Sequence, residues 1–210
     1  MMSNPHEFVL PERGVVATVV RKVTETLAKA GIRAVCCGGA ARDAYHFVPP
    51  KDFDFIVLDG KNDGDLTQAT TVGHALDADT DYAGVGIMLS YTDESTMQLQ
   101  WVIKAQYKGH VIDIISPMQR CTTPEDAVRT LDLTLNAAWI DVSTADTLCV
   151  TLAGVYPDVS EDFPVRLMSP QSCTAERVDY IRSKYPQYRY DISAEDLLPP
   201  KTEGAPCAEN

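Results

Sequence analysis

Apolar Val15, Val19, Val20, Val23 and Leu27 recur at helical spacing, with Arg21, Lys22, Glu25 and Lys29 on the other face. That pattern predicts an amphipathic helix over 14–30, with Gly31 as its stop. The run 32–37 is short, apolar and rich in β-formers, and reads as a buried strand. Gly38-Gly39 ends it, and a helix is expected over 40–47 before Pro49-Pro50 breaks it. Residues 52–58, DFDFIVL, alternate acid with apolar and read as a strand. A helix over 66–76 and strands over 87–91, 97–106 and 110–115 follow, the last two joined at Tyr107-Lys108-Gly109. Thr123-Pro124-Glu125-Asp126 combines a hydroxyl cap, Pro at the first position and acids in the first turn. The helix it starts is expected to carry into 131–136. Strands over 138–142 and 148–153 can pair, and 175–184 reads as a helix. The sum is one α+β domain with a short mixed sheet flanked by helices. It is assigned to residues 14–190, between an N-terminal extension (1–13) and an acidic, disordered tail (191–210).

Charge narrows the range of functions. The 210 residues hold 30 acids against 18 bases, a net charge of −12. Indiscriminate binding to phosphate backbones is disfavoured, so nucleic-acid contact would be local or metal-mediated. No apolar run reaches the roughly 18 to 20 residues of a membrane helix, and the N-terminus lacks a signal-peptide core. The six cysteines form no CxxC pair and no zinc-like cluster with the histidines. A reduced, cytoplasmic protein is expected.

Three features carry chemistry together. Gly38-Gly39-Ala40-Ala41-Arg42-Asp43 lies at a strand-to-helix junction, where glycines admit a ligand to the backbone and free N–H groups face an anion. Asp52 and Asp54 are two apart on a strand and share a face, so their charges repel unless a cation lies between them. Asp113 sits inside VIDII, where an acid is costly unless paired or ligating. Together the three carboxylates make a triad suited to hard divalent ions, Mg²⁺ or Mn²⁺.

GGAARD followed after eight residues by DFD resembles the GGxxRD…DxD signature of class II tRNA nucleotidyltransferases (CCA-adding enzymes) and bacterial poly(A) polymerases, of the DNA polymerase β-like superfamily. HVIDII resembles the strand that supplies the third acid, and DLTLNAAW at 132–139 is similar to the family's RDFTxNAxxY/W segment. The resemblance implies that Asp52, Asp54 and Asp113 bind metal and that Gly38 and Gly39 line the triphosphate of an NTP. It places Arg42 near that triphosphate or bracing Asp43, Asp132 and Asn136 near the nucleotide and Lys51 at a phosphate, with Arg120 standing, at a longer spacing, for the family's nucleotide-binding arginine after the third acid. It departs at Leu131, where the family has an arginine. Glu125–Arg129 has the form of the family's EDxxR segment but precedes the Asn136 motif, and reads as a helix start.

The implied activity is metal-dependent transfer of a nucleoside monophosphate from an NTP to a hydroxyl, with the 3′ end of tRNA or another RNA as acceptor. The chain after Val142 is expected to be too short for the helical neck, body and tail of CCA-adding enzymes. Arg177, Arg182, Lys184 and Arg189, interleaved with tyrosines, are the weak candidates for RNA contact. A compact toxin- or phage-type enzyme modifying tRNA or protein is the alternative, and a non-catalytic nucleotide-binding module is another. A drug-modifying enzyme fits less well, since those carry Gly-Ser at the turn.

Overall fold

The structure is a computed structural model that describes residues 6–12, 14–59, 66–89, 99–142, 147–159, 162–168 and 173–198. In chain order the elements are β1 (His6–Val9), α1 (Val15–Lys29), β2 (Arg33–Cys37), α2 (Gly39–Tyr45), β3 (Asp52–Leu58), α3 (Thr67–Asp77) and β4 (Tyr82–Leu89). Then come β5 (Leu99–Tyr107), β6 (His110–Pro117), α4 (Pro124–Val128), β7 (Ala138–Val142), β8 (Leu148–Leu152) and α5 (Ala175–Lys184). Short 3₁₀ turns occupy Thr134–Asn136 and Ala194–Asp196.

The strands form one mixed sheet in the order β1-β8-β7-β2-β3-β6-β5-β4. The β3–β6 pair is parallel, and its neighbours β2–β3 and β5–β6 are antiparallel. Side chains alternate between the two faces. One face presents Phe53, Phe55, Val57, Ile103, Ile112 and Ile114, packed with Val20, Val23 and Leu27 of α1 and Val72 and Leu76 of α3. The other face is only half roofed. Val35, Cys37, Ile56, Leu58 and Trp139 pack there with Ala127 and Val128 of α4. Along β3 that second row runs Leu58, Ile56, Asp54, Asp52, from fully covered to partly exposed. The sheet thus keeps its acids where the roof ends.

Several boundaries differ from the sequence expectation. His6–Val9, within the segment set apart as an extension, pairs with β8 from His6↔Leu152 to Val9↔Cys149. Its four residues give too little periodicity to be read, and its partner lies far along the chain. The helix begun at Thr123 has the full capping box, Thr123 with Asp126, but stops at Val128. Leu133 turns extended and bridges to Leu167, while Met168 N–H bonds Asp132 O at 2.8 Å, so long-range pairing ends the helix. β4 starts at Tyr82 rather than 87 and carries a bulge between Ala83 and Gly86. Of the segment taken as a tail, Asp191 and Leu198 are tied by backbone bonds of 2.9 Å to Val165 and Cys173. The remainder, 199–210, lies outside the described residues, as do parts of the expected strands over 87–91 and 97–106. Among the described residues no helix is long and apolar enough to cross a membrane.

Candidate active site

Register sets the acid face. Asp54 lies opposite Asp113 in the parallel β3–β6 ladder and opposite Cys37 on β2. Lys104 of β5 lies opposite Asp113 in turn. Asp52 precedes Asp54 by two positions on the same face. Burial pushes the Asp54 carboxyl up to about 7, and the charges of Asp52 and then Asp113 add to that, with Arg177 and Lys104 opposing. Lys104 Nζ donates to Asp113 Oδ2 at 2.7 Å. The other oxygen, Asp113 Oδ1, is buried and accepts no hydrogen bond. Among the described residues, no group of three His, Cys, Asp or Glu side chains is arranged to hold a metal ion. Asp54 and Asp113 are brought together, and the expected three-carboxylate cluster is not closed. The donor chemistry still suits a hard dication: oxygens only, one of them buried without a donor, and like charges that raise Asp54.

The glycine turn adjoins this pair, because Gly38 directly follows Cys37, the strand partner of Asp54. Gly38 holds φ 71°, ψ −128°, and a Cβ there would lie 3.4 Å from Leu131 Cδ1. Glycine alone suits that backbone.

Arg42 and Asp43 turn inward rather than toward an open triphosphate site. Their side chains are each 4% exposed. Arg42 Nε and Nη2 donate to Asp43 Oδ1 at 2.8 and 2.6 Å, and Nη1 donates to Asn136 Oδ1 at 2.6 Å. Its guanidinium lies over the Tyr185 ring, 4.9 Å from the centroid. Asp43 also accepts from Lys184 Nζ and Tyr185 Oη, both at 2.5 Å. Asn136 Nδ2 donates to Asp132 Oδ1 at 2.5 Å, and Arg177 Nε donates to Asp132 Oδ2 at 3.2 Å. This chain of bonds locks the glycine turn, the 132–136 segment and α5 together. Burial explains the inward orientation: a carboxylate this deep is tolerable only with its donors in place.

The basic cluster on α5 is correspondingly divided. Arg177 reaches Asp132 and Lys184 reaches Asp43, while Arg182 pairs with Asp179 at 3.2 Å and lies over the Tyr190 ring. Tyr185 and Tyr188 are buried in the core rather than offered for stacking. Arg189 lends its carbonyl to Val165 N–H at 2.8 Å. Lys51 and Arg120 are exposed, in the loops before β3 and after β6. Sequence reasoning missed Lys104, and it singled out Tyr185 without its bond to Asp43. Lys104 was signalled only by alternation in β5, where Ile103, Ala105 and Tyr107 point inward; its partner needed the register. Two clefts of about 360 and 320 Å³ lie away from the acids, one beside Arg166 and Asp191, the other beside Arg33 and Pro124.

No family model matches the chain, and no curated protein matches it. Solved structures do. A tRNA-processing enzyme in apo form I aligns with a TM-score of 0.53 at 17% identity, over 91% of this chain and 46% of that one. The Thermotoga maritima CCA-adding enzyme complexed with tRNA gives 0.49 at 16% identity, over 85% and 39%. A tRNA nucleotidyltransferase complexed with a primer tRNA and an incoming ATP analog gives 0.49 at 16%, over 83% and 47%. The chain therefore spans about half the length, or less, of these proteins. The α+β head-domain fold that the motif resemblance implies is the fold this chain adopts, and it is shared with a tRNA-processing enzyme.

Proposed function

We propose that the protein is a metal-dependent nucleotidyltransferase that moves a nucleoside monophosphate from an NTP to the 3′ hydroxyl of a tRNA. One observation carries this reading: Asp54 faces Asp113 across one strand boundary and adjoins the Gly38-Gly39 turn across the other. Carboxylates for a dication and the glycine turn thus lie side by side in the sheet.

Asp52, Asp54 and Asp113 would hold Mg²⁺ or Mn²⁺. When bound, the ion neutralises phosphate charge and favours the ionised form of an attacking hydroxyl. The chain's own residues do the positioning. Gly39, partly exposed, is where a phosphate oxygen would approach the backbone without a Cβ in the way, since Gly38 is buried with its N–H bonded to Ala138 O at 2.9 Å. Arg177, held by Asp132 and close enough to lower the Asp54 pKa, presents a guanidinium beside the acids to pair with phosphate. Asn136 and Asp132 fix that arginine through the Arg42–Asp43 network. Lys51, directly before Asp52, supplies charge at the rim, whereas Arg120 sits at the far end of β3, where Asp59 N–H bonds Cys121 O at 2.7 Å, and takes no part. The tRNA acceptor rests on the motif resemblance and on the fold shared with a tRNA-processing enzyme. With Lys184 engaged by Asp43, RNA contact on α5 falls to Arg182, whose side chain is half exposed.

The test incubates the protein with each labelled NTP, Mg²⁺ and total tRNA. Label should enter tRNA from at least one NTP, only with the metal, and not with Asp54→Ala, whose circular dichroism should match the parent. Label on protein instead of RNA would overturn the acceptor, and undiminished transfer by Asp54→Ala would overturn the site.

A further inference from the structure

Lys104 offsets one carboxylate of the acid face, Asp113, before any ligand arrives. Its position is fixed locally, because β5 and β6 form a hairpin closed at Lys108 and Gly109, with φ of 49° and 82°. That turn pairs Tyr107 with His110 and so brings Lys104 opposite Asp113. The hairpin therefore delivers an ammonium to the third carboxylate without help from the rest of the site.

The pairing is incomplete. Lys104 satisfies Asp113 Oδ2, while Asp113 Oδ1 stays buried with no donor. A buried acceptor without a partner is a standing cost, which a cation bound at Oδ1 would remove and which Lys104 does not. The ammonium is also free to leave. Its side chain is 48% exposed against 18% for Asp113, and exposed ion pairs hold weakly. On its other side Lys104 faces Gly86, where an added Cβ would meet nothing within 4 Å. The strand beside Lys104 thus leaves room for the side chain to swing outward.

We propose that Lys104 is a built-in counter-ion of the candidate active site, holding Asp113 until a divalent ion displaces it. This rests on the metal-dependent reading above. Lys104 acts as a positioning residue: it keeps the carboxylates together in the metal-free protein and competes with the metal for the same charge. Two cations a few ångströms apart repel strongly even at an effective dielectric of about 20, so the ammonium and the dication exclude each other at Asp113.

The test titrates Mn²⁺ into the full chain without nucleotide, reading free Mn²⁺ by electron paramagnetic resonance, for the parent, Lys104→Met and Lys104→Arg. Lys104→Met should bind Mn²⁺ about tenfold more tightly, because the internal competitor is gone. Lys104→Arg should stay near the parent. In EDTA, Lys104→Met should melt below the parent, and saturating Mn²⁺ should close that gap. Parent binding with Lys104→Met no tighter, or weaker, would overturn the counter-ion while leaving the metal site standing. Mn²⁺ binding by none of the three at millimolar concentration would overturn the counter-ion together with the metal-dependent reading.

Discussion

Arg42 Nη1 donates to Asn136 Oδ1 at 2.6 Å across 94 positions of sequence, joining the helix after the glycine turn to the 3₁₀ turn beside β7. Around that bond the donors and acceptors are matched, and the guanidinium reaches Asp43 through two further nitrogens. Lysine keeps the charge but not the planar fork. Arg42→Lys is therefore expected to cost about 2–3 kcal/mol, leaving buried oxygens of Asp43 or Asn136 short of a donor. Urea denaturation measures it, and a loss below about 0.5 kcal/mol would mean that the network is dispensable.

Asp54 gives the stability a pH slope. Its folded pKa of about 7 lies above the usual carboxylate value near 4. Between those values the folded protein holds a proton that the unfolded chain has released, so stability falls as pH rises. The contribution is complete below about pH 4 and is lost as pH climbs through about 7, by up to roughly 4 kcal/mol. In EDTA, Asp54→Asn should remove most of that slope. Equal slopes in parent and variant would detach the effect from Asp54.

Gly38 tests the turn. At φ 71°, ψ −128° a side chain costs about 1–3 kcal/mol in backbone strain. The new methyl would also stand 3.4 Å from Leu131. Gly38→Ala should lower stability by at least that amount. Adding Leu131→Ala should not restore it, since the strain is in the backbone. Full recovery in the double variant would put the cost in the contact instead.

The α5 cations separate into two kinds. Lys184→Gln removes a donor from Asp43, which is buried, and should destabilise the fold by about 1–3 kcal/mol. Arg182→Gln breaks a pair whose side chains are 50% and 72% exposed and removes the guanidinium from the Tyr190 ring, and should cost no more than about 1 kcal/mol. If Arg182 touches RNA, its loss should flatten the log–log salt dependence of tRNA affinity by about 0.7. An unchanged slope would leave Arg182 as a solvated surface residue.

What the sequence determined by itself was local. The spacing of Val19, Val23 and Leu27, the capping signals at Thr123 and the turn at Lys108-Gly109 act within a few residues, so the helices, strands and hairpin they produce can be read directly. The order of GGAARD, DFD and the Asp113 strand is equally a property of the chain. Tertiary structure decided which charge meets which. Asp43 and Lys184 are 141 positions apart, and no periodicity relates them; packing α5 against the glycine turn buries Arg42 and Asp43 together instead of leaving them to phosphate. The same holds for Lys104, whose value lies in strand register, and for β1, which only β8 makes a strand. Periodicity and turn chemistry are fixed by neighbours in sequence, whereas burial and ion pairing are fixed by neighbours in space.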